Sequence, residues 1–238
     1  MKTIQSVFLW SMGGLFFLIF FLAISLSLIF FSPKQIYPAI HVSTRLLLLI
    51  MGLRLNVLGV RNFDPKRAYL IIGNHESLFD VFAIPAALPM HAVGIEAAYH
   101  FSMPFWGYLT RKWGNLPIER RNLTQAMSTL ANAVDLLKSG TSIIVLPEGH
   151  RTLDGKIGKF KKGPFHLALT AGADILPFAL TGLFQYRSKN GWLLTPRTAQ
   201  VIFGQPIPYQ AFRHCSVAEL QTEVREIIIR LKQAAENR

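Results

Sequence analysis

Cysteine and acidic residues are both scarce in this sequence, and each scarcity excludes a class of protein. Cys215 is the single cysteine among the 238 residues, so no disulfide can form within the chain. Only 13 Asp and Glu stand against 25 Lys and Arg, which gives a formal net charge of +12. This balance favours anionic partners such as phosphorylated metabolites and anionic lipid. Nucleic acid is not an expected partner, because no basic stripe interleaved with exposed aromatic residues is present.

One long run near the amino end has no charge at all. Between Lys2 and Lys34 no charged residue occurs, and residues 7–31 are apolar except for serines and a glycine pair. As a helix this run would be roughly 37 Å long, against a hydrocarbon core of about 30 Å. A cleaved signal peptide is the alternative, but the run is longer than its apolar region and no small-residue cleavage site follows. We expect a membrane helix that spans the bilayer with tilt or dips into one leaflet.

A second apolar segment covers residues 39–60, and its uncharged core from Leu46 to Leu53 is too short to span a bilayer. We predict an interfacial or re-entrant helix that packs against the first. The chain is therefore predicted to consist of membrane-anchoring helices over residues 1–60 and one further domain over residues 61–238.

Basic residues are unevenly distributed around the first apolar run. Only Lys2 precedes it, whereas four basic residues follow it: Lys34, Arg45, Arg54 and Arg61. Because positive charge accumulates on the cytoplasmic side of membrane helices, residues 62–238 are predicted to face the cytoplasm.

After residue 61, short apolar runs alternate with helical patterns. The runs predicted as buried strands are 68–73, 142–147, 175–180 and 199–204. Residues 122–140 have apolar side chains at helical spacing with Gly140 at the end, and Ser216 with Glu219 forms a capping box before the last helix. This alternation predicts an α/β fold with a mostly parallel sheet flanked by helices.

The stretch NHESLFD (74–80) places His75 and Asp80 five residues apart, directly after a predicted strand. On one helix these side chains would point about 140° apart, so a working pair needs a bend between them. A strand that leads through a loop into a helix supplies that bend, at the sheet edge where active sites gather. Histidine can accept a proton near neutral pH, and a carboxylate can orient its ring. Ser77 is a nucleophile or a helix N-cap; the absence of a Gly-x-Ser-x-Gly setting favours the cap.

Two further stretches are rich in basic residues and glycine. Residues 113–122 carry Arg120 and Arg121, and residues 146–165 carry Arg151 with four lysines and four glycines. Glycines let backbone amides approach an anion closely, and the planar arginine fork suits a phosphate. The alternative for both stretches is a solvated basic surface. Neither has the spacing of a P-loop or of a dinucleotide-binding motif.

Together these stretches resemble the glycerolipid acyltransferases of the 1-acylglycerol-3-phosphate acyltransferase type. Four blocks match in order: NHESLFD (74–80), GNLPIER (114–120), PEGHR (147–151) and ILPFAL (175–180). The resemblance covers roughly residues 55–207. It implies a glycerol-3-phosphate acyltransferase-like α/β fold and makes residues 61–238 an acyltransferase domain.

The resemblance also implies roles for individual residues. His75 would be the general base that deprotonates the acceptor hydroxyl, and Asp80 would orient it. Five residues fall at positions that the family uses to hold the glycerol phosphate of the acceptor: Gly114, Arg120, Glu148, Gly149 and Arg151. His150 departs from the family pattern, which has Thr there; it could alter acceptor choice or point to solvent.

The implied reaction moves a fatty acyl group to the sn-2 hydroxyl of 1-acylglycerol 3-phosphate, giving phosphatidic acid. The implied partners are a lysophospholipid acceptor, acyl-CoA or acyl carrier protein as thioester donor, and membrane lipid, with no cofactor and no metal. Another lysophospholipid acceptor or CoA-independent transacylation is the alternative within the family. A metal hydrolase built on His75, Glu76, Asp80 and a further histidine lacks the required ligand spacing. The candidate histidines are His91, His100, His150 and His166. A non-enzymatic membrane scaffold leaves the four ordered blocks unexplained.

Overall fold

The computed structural model describes residues 1–119 and 122–237, and it begins with a pair of packed helices. Helix α1 (Lys2–Phe30) contains no proline, and an apolar window within it has a mean hydropathy of 2.5 with only 11% of its residues buried. By length and composition, α1 could cross a membrane, which is consistent with the predicted membrane helix. Ser32 and Gln35 form a capping box that begins α2 (Pro33–Ile50), and α2 packs against α1 as predicted.

The predicted helix over residues 39–60 is wrong in its second part. Gly52 adopts a left-handed conformation (φ 77°) that ends the helical path after Ile50. Leu53–Leu58 then forms strand β1, because its apolar residues alternate with Arg54 and Asn56 in the two-residue period of a strand. The predicted division at residue 60 therefore cuts between β1 and the sheet to which it belongs.

The strands of the described residues form one sheet in the order β1-β7-β6-β2-β5-β3-β4. Their bounds after β1 are β2 (Leu70–Gly73), β3 (Ala92–Ala97), β4 (Leu116–Ile118), β5 (Ser142–Val145), β6 (Ile175–Thr181) and β7 (Arg197–Phe203). Every neighbouring pair is parallel except β6 and β7, which are antiparallel. The predicted α/β fold with a mostly parallel sheet is confirmed.

Helices cover both faces of this sheet. The remaining helices are α3 (Asp80–Ala87), α4 (Trp106–Trp113), α5 (Leu123–Lys138), α6 (Gly163–Ala171), α7 (Leu183–Tyr186), α8 (Tyr209–Phe212) and α9 (Val217–Glu236). Along β2, Ile71 joins the core formed with α1, α2 and α3, whereas Leu70 and Ile72 join the core formed with α5, α6 and α9. The alternation of strand side chains thus places the anchor helices on one face of the sheet.

The predicted helix ends are confirmed in both cases. Gly140 follows α5 in a left-handed conformation (φ 88°), where a residue with a Cβ atom would be strained. Ser216 accepts a hydrogen bond from the backbone amide of Glu219, and the Glu219 carboxylate accepts one from the Ser216 amide. This capping box begins α9, the helix that contributes Lys232 to the candidate site.

Candidate active site

The carboxyl ends of β2 and β5 lie side by side, because these two strands are parallel neighbours in the sheet. The chain leaves β2 at Gly73 and enters the loop that carries His75, and it leaves β5 at Val145 and enters the loop that carries Glu148. The two sequence blocks that are 73 residues apart therefore meet, and the His75 amide donates to Glu148 Oε1 at 2.8 Å. The site lies at the sheet edge that the sequence predicts.

His75 and Asp80 form the predicted pair across a bend. The helix α3 begins at Asp80, so the loop between β2 and α3 turns the two side chains toward each other. His75 Nδ1 lies 2.5 Å from Asp80 Oδ2. The Asp80 carboxylate also accepts from the backbone amides of Glu76 at 2.8 Å and Ser77 at 3.0 Å. Asp80 is 1% exposed, whereas 26% of the His75 side chain remains accessible. The buried carboxylate thus fixes a partly open imidazole.

Ser77 is not the helix N-cap that the sequence predicts. The helix begins three residues later, and the buried Ser77 hydroxyl instead donates to the carbonyl of Arg187 at 2.9 Å. This bond attaches the His75 loop to the segment that follows α7. A hydroxyl used in this way is a structural donor, and the nucleophile interpretation gains no support from it.

Asn74 is a site residue that the sequence reasoning missed. Its amide side chain exchanges two hydrogen bonds with the backbone of Leu180, at 3.0 Å and 2.7 Å, and it is 2% exposed. These bonds hold the first residue after β2 against β6. Its place directly before His75 in the NHxxxxD block was the only available signal.

Glu148 fixes the two loops of the site to each other. Its carboxylate is 2% exposed; Oε1 accepts from the His75 amide and Oε2 accepts from the Gly158 amide, both at 2.8 Å. The Thr152 amide donates to the His75 carbonyl at 2.9 Å, so both backbone groups of His75 are held from the loop after β5. These contacts give Glu148 a positioning role beneath the histidine, whereas the resemblance implies a role in acceptor binding.

Glu76 is buried beside His75 and pairs with Lys232 of α9. Its Oε1 accepts from Lys232 Nζ, and its Oε2 accepts from the amides of Leu183 at 2.9 Å and Phe184 at 3.1 Å. Lys232 also donates to the Gly155 carbonyl at 2.6 Å. Burial raises the pKa of Glu76 to about 7, and the charge of Lys232 opposes that rise. The sequence reasoning missed Lys232, which lies 156 residues from Glu76 and has no local motif.

The other residues predicted to bind the acceptor lie at turns or next to them, except for one that falls outside the described residues. Gly149 (φ 74°) makes the turn after β5, with its amide donating to Leu146, and Arg151 follows it half-buried beside the Thr152–His75 bond. Gly114 ends α4 in a left-handed conformation (φ 87°) and directs the chain into β4. Arg120 lies outside the described residues.

The ring of His150 is exposed, with Nδ1 3.3 Å from the Arg151 carbonyl, as expected for a side chain that points to solvent. Within residues 1–119 and 122–237, no three His, Cys, Asp or Glu side chains are grouped in a way that could hold a metal ion. The metal-hydrolase alternative therefore gains no support from these ranges.

Comparison with known proteins adds the family to this geometry. The family model described as Acyltransferase matches residues 54–181, which is more than half of the chain. The match includes His75, Asp80 and Glu148 and ends with β6. The chain belongs to the acyltransferase family. The resemblance drawn from the four sequence blocks is confirmed.

Curated relatives of this chain come from a mammal and a bacterium, among others. It is 29% identical over 181 residues to a protein named 1-acyl-sn-glycerol-3-phosphate acyltransferase alpha from Ovis aries, covering 76% of the chain and 63% of that protein. It is 30% identical over 172 residues to the 1-acyl-sn-glycerol-3-phosphate acyltransferase of Pseudomonas aeruginosa, covering 72% of the chain and 66% of that protein. The chain thus spans somewhat less than two thirds of the length of these relatives.

A solved structure shares the fold over its full length. The crystal structure of the 1-acyl-sn-glycerophosphate (LPA) acyltransferase from Thermotoga maritima matches with a TM-score of 0.87 at 22% identity, covering 100% of this chain and 99% of the other. This similarity extends the shared fold beyond residues 54–181 to the helices α1 and α2.

Proposed function

We propose that the chain transfers a fatty acyl group from a thioester donor, acyl-CoA or acyl carrier protein, to the sn-2 hydroxyl of 1-acylglycerol 3-phosphate. The observation that carries this proposal is the His75–Asp80 pair, with Nδ1 and Oδ2 2.5 Å apart at the carboxyl edge of the sheet. Family membership and the names of the relatives support the choice of reaction.

The geometry suits general-base catalysis by His75. Because Asp80 accepts from Nδ1, the lone pair lies on Nε2, on the opposite side of the ring, where the acceptor hydroxyl can donate its proton. The oxygen then attacks the thioester carbonyl, a C–O bond forms, and the tetrahedral intermediate expels the thiolate as the C–S bond breaks. The imidazolium of His75 returns the proton to the leaving sulfur. Asp80 stabilises the imidazolium throughout.

The acceptor phosphate is proposed to bind beside this pair. Arg151 follows the PEG turn next to His75, and Arg120, Gly114 and Gly149 are assigned to the same anion by the family resemblance. Exposed lysines of the adjoining loop add positive charge: Lys156, Lys159, Lys161 and Lys162. Arginine is the better phosphate ligand because its planar fork donates two parallel hydrogen bonds.

We propose that α1 dips into one leaflet of the membrane and that the α/β domain faces the cytoplasm. From Ser6, which contacts Leu194, to Phe21, which contacts Phe105, α1 lies against the domain. Only about 14 Å of helix extends beyond Phe21, less than the hydrocarbon thickness of about 30 Å. Its opposite face is an exposed apolar stripe that includes Ile19 and Leu22.

The experiment is an acyl-transfer assay on the detergent-solubilised full chain with labelled acyl-CoA or acyl carrier protein and a panel of acceptors. We expect transfer to lysophosphatidate, with phosphatidic acid as the product. Transfer only to lysolipids without a phosphate monoester would favour another acceptor, and transfer from a phospholipid without thioester would favour transacylation. No transfer with any donor and acceptor would contradict the enzyme assignment.

A further inference from the structure

Arg187 is half-buried, and two of the three nitrogens of its guanidinium lack a hydrogen-bond partner. It directly follows α7, and its carbonyl accepts from the hydroxyl of Ser77 in the His75 loop. Its Nε and Nη1 atoms are buried, and neither has a hydrogen-bond partner in the structure of the described residues. A buried donor without an acceptor costs free energy, and a charged one costs more. An ordered water or a bound ligand can supply the missing acceptor, and an anionic ligand would also balance the charge.

Among the residues that the structure describes, Arg187 forms no ion pair with a carboxylate. Its guanidinium lies over the ring of Trp10, 5.8 Å from the ring centre, and the charged side chain that acts on it is Arg151. Burial, and secondarily the like charge of Arg151, lower the pKa of Arg187 from its ordinary value. Two arginines that repel each other beside the His75 loop form a site for an anion, because an anion between them would relieve both the repulsion and the unpaired donors.

The chemical class of the anion is inferred from the residues that lie next to Arg187. Trp10 belongs to the apolar helix α1 and also contacts Phe79 of the His75 loop, with ring centres 5.8 Å apart. An anion bound to Arg187 would therefore lie near α1 and near the segment that carries His75 and Phe79. A phosphate monoester attached to a single acyl chain fits both neighbours.

We propose that Arg187 binds the phosphate of the lysophospholipid acceptor, together with Arg151, and so determines the preference for phosphate-bearing acceptors. This assignment rests on the proposed acyltransferase function. Arg187 lies outside the four sequence blocks, between the last of them and β7. The phosphates of an acyl-CoA donor are the other source of the same chemistry, and the experiment below separates the two sources.

The kinetic test compares Arg187→Gln with Arg213→Gln in the full chain. Arg213 is exposed and follows α8, which is joined to Asp174 at the amino edge of the sheet, away from the site. We expect Arg187→Gln to raise the KM for lysophosphatidate by about tenfold to a hundredfold, the usual loss for a charged hydrogen bond. The KM for acyl-CoA should change less than about threefold. Arg187→Lys should recover part of the loss, because the charge returns without the planar fork.

Two kinetic results would overturn the assignment. A rise in the KM for acyl-CoA with an unchanged KM for lysophosphatidate would assign Arg187 to the donor phosphates instead. An equal loss of activity on lysophosphatidate and on monoacylglycerol, which has no phosphate, would leave Arg187 with a structural role only.

A binding test without turnover distinguishes failure of this inference from failure of the proposed function. Because Arg187 lies over Trp10, lysophosphatidate added without donor should change the tryptophan fluorescence, whereas monoacylglycerol should not. The change should be absent in Trp10→Phe and should need at least tenfold more ligand in Arg187→Gln. Wild-type protein that binds lysophosphatidate in this way but transfers no acyl group would refute the reaction and retain the site. An identical titration in wild type and Arg187→Gln would refute the site.

Discussion

At the scale of single residues, His75 and Asp80 are held very differently. His75 contributes one ring to the pair, whereas the Asp80 carboxylate accepts from that ring and from the amides of Glu76 and Ser77. Removal of the imidazole leaves the loop bonded as before. Removal of the carboxylate leaves two buried amides without acceptors, and each such group costs about 1–3 kcal/mol.

We therefore predict different outcomes for two alanine variants. His75→Ala should lower kcat by at least about 10²–10⁴-fold, the usual contribution of a general base, with an unchanged unfolding temperature. Asp80→Ala should lose comparable activity and also about 2–4 kcal/mol of unfolding free energy. Acyl transfer and thermal unfolding measured on the same samples check this. Asp135→Ala, an exposed carboxylate of α5, is the control and should change neither.

Glu148 gives a second prediction, because its contacts are to backbone amides of His75 and Gly158. Glu148→Ala should lower kcat by misplacing His75 and should lower stability by about 2 kcal/mol, with little change in the KM for lysophosphatidate. Arg151→Ala should instead raise that KM and leave stability nearly unchanged. Steady-state kinetics of both variants separate the two roles. A larger rise in the KM for lysophosphatidate in Glu148→Ala than in Arg151→Ala would instead support direct binding of the acceptor by Glu148.

The residues of the site that the sequence predicted are those with a local motif. His75 and Asp80 lie five residues apart, in the β2–α3 loop and at the start of α3, so their spacing alone indicated the bend. Lys232 and Arg187 could not be found in this way, because their partners are distant in the chain and meet them only through the sheet. A lone lysine in an amphipathic helix looks the same whether it is solvated or buried.

At the scale of elements, α9 connects the carboxyl-terminal part of the chain to the site through Lys232. The pKa of Glu76 lies above its ordinary value of 4.5, at about 7, because burial disfavours its carboxylate more than Lys232 favours it. Without Lys232 this pKa should rise further. Because the pKa of Glu76 is higher in the folded protein than in the unfolded chain, the folded state binds the proton more tightly. The contribution of Glu76 to the free energy of unfolding is therefore greatest below about pH 4.5 and is lost as the pH rises to about 7.

We predict that Lys232→Met is destabilised increasingly from pH 5 to pH 8, reaching about 3–5 kcal/mol at the upper end, where the carboxylate is buried without its partner. Chemical unfolding in detergent at several pH values measures this. Arg230→Met removes an exposed cation from the same helix and should change stability by less than about 1 kcal/mol at every pH. A pH-independent loss in Lys232→Met would show that packing, and not charge, sets the effect.

The helices and strands with a clear apolar run or periodicity were predicted from the sequence, and those without such a pattern were missed. The four buried strands are continuous apolar runs, and α5 and α9 have clear periodicity with caps. Strand β1 was assigned to a helix because apolar residues precede it without a break, and only Gly52 marks the change. Strand β3 contains a glycine and a glutamate, and β4 has only 3 residues, so neither has an apolar run of its own.

At the scale of the whole molecule, α1 presents two apolar faces. One face packs on the α/β domain through Leu9 and Trp10, and the other exposes leucines such as Leu22 (59%) and Leu26 (61%). A monomeric protein in water rarely exposes a continuous apolar surface of this length. The exposed face is therefore expected to be covered by lipid.

We predict that the double variant Leu22→Arg and Leu26→Arg is released from membranes by a high-salt wash that leaves wild type in the pellet. Each arginine within the hydrocarbon region costs about 2.5–3.5 kcal/mol. Met127→Arg, on the exposed side of α5, should stay bound as wild type does. Retention of the double variant would indicate that this half of α1 does not enter the lipid.

The short connection between α2 and β1 limits how far the α/β domain can move relative to the helices α1 and α2. Only Met51 and Gly52 separate the anchor from a strand that is hydrogen-bonded into the sheet along β7. A domain on a long tether would move freely relative to its anchor, but here α1 and α2 and the site around His75 move as one unit. If α1 lies in lipid and the acceptor is the proposed lysophospholipid, the acceptor would arrive by lateral diffusion in the leaflet, and its surface density would set the rate of encounter.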